Sequence, residues 1–432
     1  MNNHKIRIAM VCHFSNAKVR ERLPLDSRKL YSFARRILGM SGKGIGYVDV
    51  ATWDTYMIEQ LCKRDDIELH VISAHSGLKK GVCTFDLDGV HYSFVRCDRA
   101  TLLKRLICSP VLWHKLNPMR PVVRKIVKKI KPDIIALIGA ENAYISGTVL
   151  GIEGIPLIVK CQTIYNNPDR GKYGEVDAKN AYVEQQIFKD LKYVSVDTEM
   201  HEKLFRQVNK TAINFYWNLG NLYPEVNPAD KVYDFVNYAM AVSDKKGFYD
   251  AVNALVIVHR EYPSAKLNLV GGGTADEINH LLSLIDKLGL KDSVTYTPFF
   301  EKQEDMFQHI QQSRFALLPC KMDSVASTIR QAMHYELPVI CYKTEGTVLL
   351  NQEKARVLIA ENGDVEDLAA KMLVLLRSEE QAATLCQNAK EWIDETSNDE
   401  RITQQMVDNF KAVVNHYYKG MPVPEHLLFK TT

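Results

Sequence analysis

The sequence predicts an α/β protein built of two doubly wound, Rossmann-like domains. Three observations predict it. Short apolar runs alternate with amphipathic helical stretches along most of the chain, and that rhythm calls for parallel sheets joined by right-handed crossovers. The length of 432 residues suits two large domains. Hydrophobic residues at 46% and charged residues at 25% supply two cores and exclude a largely disordered chain.

The first half opens with a strand at Ile6–Val11. A long polar, glycine-containing stretch follows, then a helix at Asp54–Lys63 and a strand at Glu68–Ser73. Val82–Val95 alternates about Asp88-Gly89, a hairpin turn signal. Pro121–Ile130 reads as a basic helix; Asp133–Ile138, Pro156–Val159 and Tyr193–Val196 read as buried strands, separated by helices at Ala143–Leu150 and Ala181–Leu191. In the second half the strands are Phe235–Ala241, Lys266–Val270, Ser293–Tyr296, Phe315–Leu318, Val339–Tyr342 and Arg356–Ile359. Helices fall at Phe248–Glu261, Ala275–Lys287, Glu304–Gln312 and Thr328–Tyr335, and the chain is nearly all helical from Val365. Asn, Gly and Pro cluster at Asn218–Asp230 and mark the boundary. The expected domains are 1–218, 219–400, and a last helix and tail, 401–432, returning to the first domain.

Several chemistries are excluded. Gly271-Gly272-Gly273 follows a strand, but Asp276 leaves the GxGxxG dinucleotide fingerprint incomplete, and Gly39–Gly46 is no Walker loop. There is no HExxH or GxSxG, and the 13 histidines show no metal-ligand spacing. Nine cysteines without CxxC pairs argue for a reduced, cytoplasmic setting. The N-terminus carries no secretory apolar region, and no window reaches the ~20 apolar residues that span a bilayer.

What remains is a set of phosphate-friendly pieces, each with a plain structural alternative. Gly42, Gly44 and Gly46 precede a helix and can bring backbone N–H groups to a ligand, or form a surface loop. Ser243–Gly247 sits between a strand and a helix, where Lys246 can neutralise a diphosphate; the alternative is a charged turn. In Pro319–Ile340, Asp323 ends a loop, Ser324 and Ala326 follow, and a helix starts near Ser327-Thr328 and carries Gln331. The N–H groups of Ser327 and Thr328 can hold a diphosphate and Gln331 can reach a ribose; the alternative is a helix capped by Ser324 or Ser327.

Taken together, these pieces resemble the family 4 retaining glycosyltransferases of GT-B fold. Asp323 and Gln331 stand eight apart, as the family's two acids do, and Ala332-Met333 and Pro338-Val339-Ile340 fall in register. Lys246-Gly247, Leu267–Gly273 and Leu288–Val294 match further motifs, so residues 233–376 are well covered. The first half matches only through Gly44, Gly46, Lys131–Ile135 and Gly154-Ile155-Pro156. The resemblance implies two domains facing across a cleft, with a UDP- or GDP-linked sugar on the second and a glycan or lipid-linked acceptor mainly on the first. It implies transfer with retention, no metal ion and no other cofactor, in bacterial surface-polysaccharide assembly. It assigns catalytic roles to Lys246, Asp323 and Gln162, the last at the place of the family's histidine. Donor contacts go to Gly247, Gly271, Gly272, Ser324, Ser327, Thr328, Gln331, Gly44 and Gly46. The chain departs from the pattern at Asp323, Gln331, Gln162 and Ala241, where the family has Glu, Glu, His and Arg; Arg330, Lys18, Arg20 and Arg22 are the cations available to replace that arginine.

Charge is local. Asp98–Lys131 holds ten basic residues against Asp98 alone, in a chain of net charge +3. Apolar residues interleave with these cations at helical spacing. That reads as a surface helix pair packed on the first sheet, or as a contact with the anionic inner face of a membrane. Nucleic acid is not expected, because the remainder of the chain is net acidic. Two other readings stay open: a silent GT-B protein that binds a sugar nucleotide or glycan as a partner subunit, and a two-lobed sugar-nucleotide 2-epimerase.

Overall fold

The computed structural model describes residues 5–26, 49–172, 176–196, 198–322 and 326–430. Asp323, Ser324, Gly44 and Gly46 lie outside the described residues. The chain divides into two compact units, Met1–Leu222 with Asp399–Thr432, and Tyr223–Asn398.

The first unit holds an eight-stranded sheet of order β3-β4-β2-β1-β5-β6-β7-β8. Its strands are β1 (Ile6–Cys12), β2 (Ile67–His75), β3 (Val82–Leu87), β4 (Val90–Arg96), β5 (Ile134–Ile138), β6 (Leu157–Lys160), β7 (Tyr193–Ser195) and β8 (Ile213–Asn214). All pairs are parallel except β3 with β4. That hairpin turns on Asp88 and Gly89, both left-handed at φ 51 and 78, as a tight two-residue turn requires. Both faces of the sheet are covered, as parallel sheets demand. On β1 the period of two sends Ile8, Met10 and Cys12 to one core and Ala9 and Val11 to the other. Helices Thr52–Leu61 and Asp399–Lys419 cover the first face with Tyr56, Met57, Met406 and Phe410. Asp399 ties them together by accepting hydrogen bonds from Tyr56 Oη at 2.7 Å and Gln60 Nε2 at 3.2 Å.

The second unit is a six-stranded, wholly parallel sheet of order β11-β10-β9-β12-β13-β14. Its strands are β9 (Tyr233–Ala241), β10 (Leu267–Gly272), β11 (Val294–Pro298), β12 (Ser313–Leu318), β13 (Val339–Tyr342) and β14 (Leu358–Ala360). β9 and β12 are neighbours at its centre, so the loops after them emerge side by side at the carboxyl edge.

Two expectations need correction. The helix expected over 143–150 is a single turn, Ala143–Ser146, capped at its end by Gly147, a poor helix former, and the chain turns away at Gly151 with φ 74. The expected basic helix pair is three helices, Asp98–Leu106, Pro110–Leu116 and Met119–Ile130. Ser109 caps Pro110 as a fresh helix start, and Pro118 begins the third. Among the described residues no helix is long and apolar enough to cross a membrane.

Candidate functional site

In the second unit, the chain leaves β9 through Val242 and makes one tight turn, Asp244–Lys246, in which the Ser243 side chain accepts from Lys246 N. Gly247 follows at φ 71, a conformation side chains strain to adopt, and a Cβ there would overlap the Pro319 carbonyl oxygen. The turn therefore lies flat against the loop after β12. Lys321 locks the two loops: its backbone N donates to Lys245 O at 2.9 Å, and its ammonium reaches Asp244 at 2.7 Å and Asp250 at 3.0 Å. Burial pulls the Lys321 pKa down, but the hydrogen bonds to Asp244 and Asp250 outweigh it and leave it above the ordinary value. Tyr342 Oη also donates to Asp250, at 2.8 Å. The lock brings Lys246 Nζ to 3.6 Å from Cys320 Sγ.

Seven residues beyond Cys320 the helix Ser327–His334 begins, with Ala326 at the cap position. Ser327 is thus the first helical residue and not the cap, because alanine stands where a capping hydroxyl would sit. The first turn carries no acid, and Ser327 and Thr328 are half-buried. Tyr238 Oη, from β9, donates to Thr328 O at 2.7 Å and pins this turn to the same strand that delivers Lys246. Gln331 is only 3% exposed, so the amide expected at a ribose lies inside the fold. Gly271 and Gly272 lie within β10, and what they accommodate is packing: a Cβ on Gly271 would meet Phe248 and Val242 at 3.1 Å, and one on Gly272 the Met240 carbonyl at 3.0 Å. The helix after them is closed by a Thr274–Glu277 capping box that sets an acid at its positive end. Of the cations offered for the missing arginine, Arg20 bonds Asp49 at 2.8 Å and Arg330 stacks over Trp392 at 5.8 Å.

A substitution follows directly. Gly247→Ala is expected to destabilise the second unit by about 1–3 kcal/mol through the left-handed backbone, with the collision at Pro319 adding to it. Chemical denaturation of the purified variant measures it.

In the first unit Gln162 lies just beyond the carboxyl end of β6, and its amide lies among Trp53, Asp54 and Glu141. With its oxygen toward the Trp53 indole N–H, its nitrogen donates to Glu141 Oε1 at 3.0 Å. Its other polar atom is then an oxygen 3.5 Å from Asp54 Oδ1, which is attractive only if Asp54 carries a proton. The electrostatics of the site agree. Burial and then the nearby Glu141 charge raise the Asp54 pKa far above the carboxylate range. Burial lifts Glu141 to about 7, and Glu184 adds to the rise. Glu141 folds back over Gly139, whose φ is 82 and whose Cβ would lie 2.5 Å from Glu141 Oε1. His13, at the carboxyl end of β1, is pushed down to about 4 by burial and by His75. Sequence reasoning found Gln162 but neither Asp54 nor Glu141; the signal was Gly139-Ala140-Glu141 directly after a buried strand. It also missed Lys321, for which a single sequence carries no signal.

The architecture defines a class. The sucrose-phosphate synthase from Thermosynechococcus elongatus superposes with a TM-score of 0.68 over 94% of this chain and 98% of that one, at 14% identity. Anabaena HepE, solved in complex with UDP-glucose, superposes at 0.63 over 94% and 99%, at 15% identity. The fold is GT-B. Residues 222–392 match the family model of the Glycosyl transferases group 1, so the second unit carries a domain of that family. A Methanocaldococcus jannaschii protein named only as an uncharacterized glycosyltransferase is 24% identical over 260 residues, 54% of this chain and 61% of that one. The chain spans 37–61% of the length of the curated relatives it matches.

Proposed function

We propose that the protein transfers a sugar from a nucleoside-diphosphate sugar to a glycan or lipid-linked acceptor, with retention and without a metal ion, in the assembly of a bacterial surface polysaccharide. One observation carries the donor half of this reading: the Lys321 lock that holds Lys246 against the loop leading into the acid-free helix start at Ser327. Negative charge grows on the departing diphosphate as the glycosidic bond breaks. A fixed ammonium and the N–H groups of a helix start stabilise that charge without reorganising. HepE binds UDP-glucose on the same fold, which supports a uridine or similar nucleotide here. Asp323, Ser324, Gly44 and Gly46 complete the proposed contacts to the donor, and the first unit, with Gln162, receives the acceptor.

A second reading keeps the nucleotide and drops the chemistry. It is favoured by the buried Gln331 and by Gln162, whose amide is engaged by Trp53 and Glu141. Thermal melting with UDP, GDP and their sugars, followed by a product assay, separates the two. Stabilisation with product supports transfer; stabilisation without product supports a silent binder; no response to any nucleotide contradicts both.

The acceptor side bears on the membrane. Leu106, Val111, Leu112 and Leu116 are 69, 43, 48 and 52% exposed, and Lys115 and Lys125 are exposed close by along the chain. An exposed apolar cluster amid cations suits an anionic leaflet, at about 1 kcal/mol per basic residue near the surface. The chain is expected to co-sediment with phosphatidylglycerol vesicles and not with phosphatidylcholine ones. Equal recovery on both contradicts the contact.

A further inference from the structure

We propose that Glu68, His70 and His91 bind one Zn2+-class ion on a face of the first sheet, a site separate from the sugar-transfer machinery. The period of two sets Glu68 and His70 on one side of β2, and the parallel pairing of β2 with β4 puts His91 opposite His70. The two imidazoles stack with centroids 4.6 Å apart and planes 26° apart. One ligand atom from each of the three residues lies within 4.8 Å of the other two. His70 Nε2 and Glu68 Oε1 stand 2.8 Å apart; a tetrahedral ion bonding both at about 2.0–2.2 Å holds its ligand atoms about 3.3–3.6 Å apart, so the ion replaces the shared proton as the two side chains part by about half an ångström. His91 Nδ1 meets Asp86 Oδ1 at 2.7 Å, which orients the ring and leaves Nε2 for the ion.

Two imidazole nitrogens and a carboxylate oxygen select Zn2+, Ni2+ or Cu2+ over Mg2+ or Ca2+, and the exposure of His91 lets water complete the coordination. The competitor is on the page too. Arg7, on β1, grips Glu68 with Nε at 2.7 Å and Nη2 at 3.0 Å. The ion must share Glu68 with that guanidinium, so binding is moderate in strength. Glu68 and His70 lie in the amino-terminal half of β2, while Glu141 and Gln162 follow the carboxyl ends of β5 and β6. The ion therefore acts on structure: it cross-links β2 to β4 and, through Asp86, steadies β3 at the sheet edge.

Isothermal titration of the full chain with ZnCl2 alone tests this. One saturable ion per chain is expected, lost in both His70→Ala and His91→Ala, and kept in His426→Ala, which removes an exposed histidine elsewhere. Asp86→Asn is expected to weaken binding about 10–100-fold while leaving the metal-free melting temperature unchanged. MgCl2 gives no binding. Wild type that binds no Zn2+, or histidine variants that stay folded by circular dichroism and bind as wild type does, overturns the proposal.

Discussion

Replacing Lys246 with alanine is expected to lower kcat/KM about 10²–10³-fold, the usual cost of removing one preorganised charge-stabilising group. The argument is positional. Ser243 and Gly247 fix the backbone on either side of Lys246, and Lys321 ties that turn to the Cys320 loop. The ammonium is thus in place before any ligand arrives. Because charge on the diphosphate is greater in the transition state than in the bound donor, the loss falls mainly on kcat and less on nucleotide affinity. Melting should be nearly unchanged, since Lys246 is only half-buried. Steady-state kinetics of the variant, with Lys246→Arg beside it, measures the effect. A variant with undiminished kcat removes Lys246 from the mechanism.

The second large effect concerns pH. Burial raises Glu141 from the ordinary 4.5 to about 7. The folded chain then holds a proton that the unfolded chain has already released, so this group lowers stability as pH rises from about 4.5 to 7, and its effect is constant above that. A shift of that size corresponds to on the order of 3 kcal/mol. His13 works the other way: lowered from 6.5 to about 4, it makes the fold more stable as pH rises across that interval. The wild-type profile mixes the two, and the difference between wild type and Glu141→Gln cancels His13 and leaves Glu141 together with the effect of its charge on Asp54. Urea unfolding from pH 4.5 to 8 should show the variant gaining on wild type through this window and levelling off near pH 7. The neutral amide keeps the shape of the side chain, so a uniform loss at every pH would mean that packing, not the buried charge, governs the site.

What was legible in the sequence, and what was not, follows from the range of the interactions. Strand and helix periodicity is local, so the two parallel sheets, the Asp88-Gly89 hairpin and the Lys246-Gly247 turn could be read from neighbouring residues. The break at Gly147 hides inside an apolar stretch whose spacing still reads as helical. Contacts that depend on tertiary placement were invisible. Lys321 lies 77 positions from Asp244 and bonds it only because β9 and β12 are adjacent. Asp54 lies on the helix Thr52–Leu61, while Glu141 and Gln162 follow the ends of β5 and β6, and nothing in their spacing announces that the fold brings them together and raises both carboxyl groups. His70 and His91 lack metal-ligand spacing because strand pairing, not sequence, brings them together. At Gly271-Gly272 the sequence suggests a phosphate loop after a strand, and what it does not announce is that the same glycines let β10 pack against Phe248 and the β9 carbonyls.

The most direct measurement is a crystal structure with UDP or GDP bound. The account predicts the diphosphate within hydrogen-bond distance of Lys246 Nζ and of the backbone N–H groups of Ser327 and Thr328. A nucleotide bound elsewhere, with the Lys246 ammonium still against Cys320 and the helix start at Ser327 bare, would contradict it.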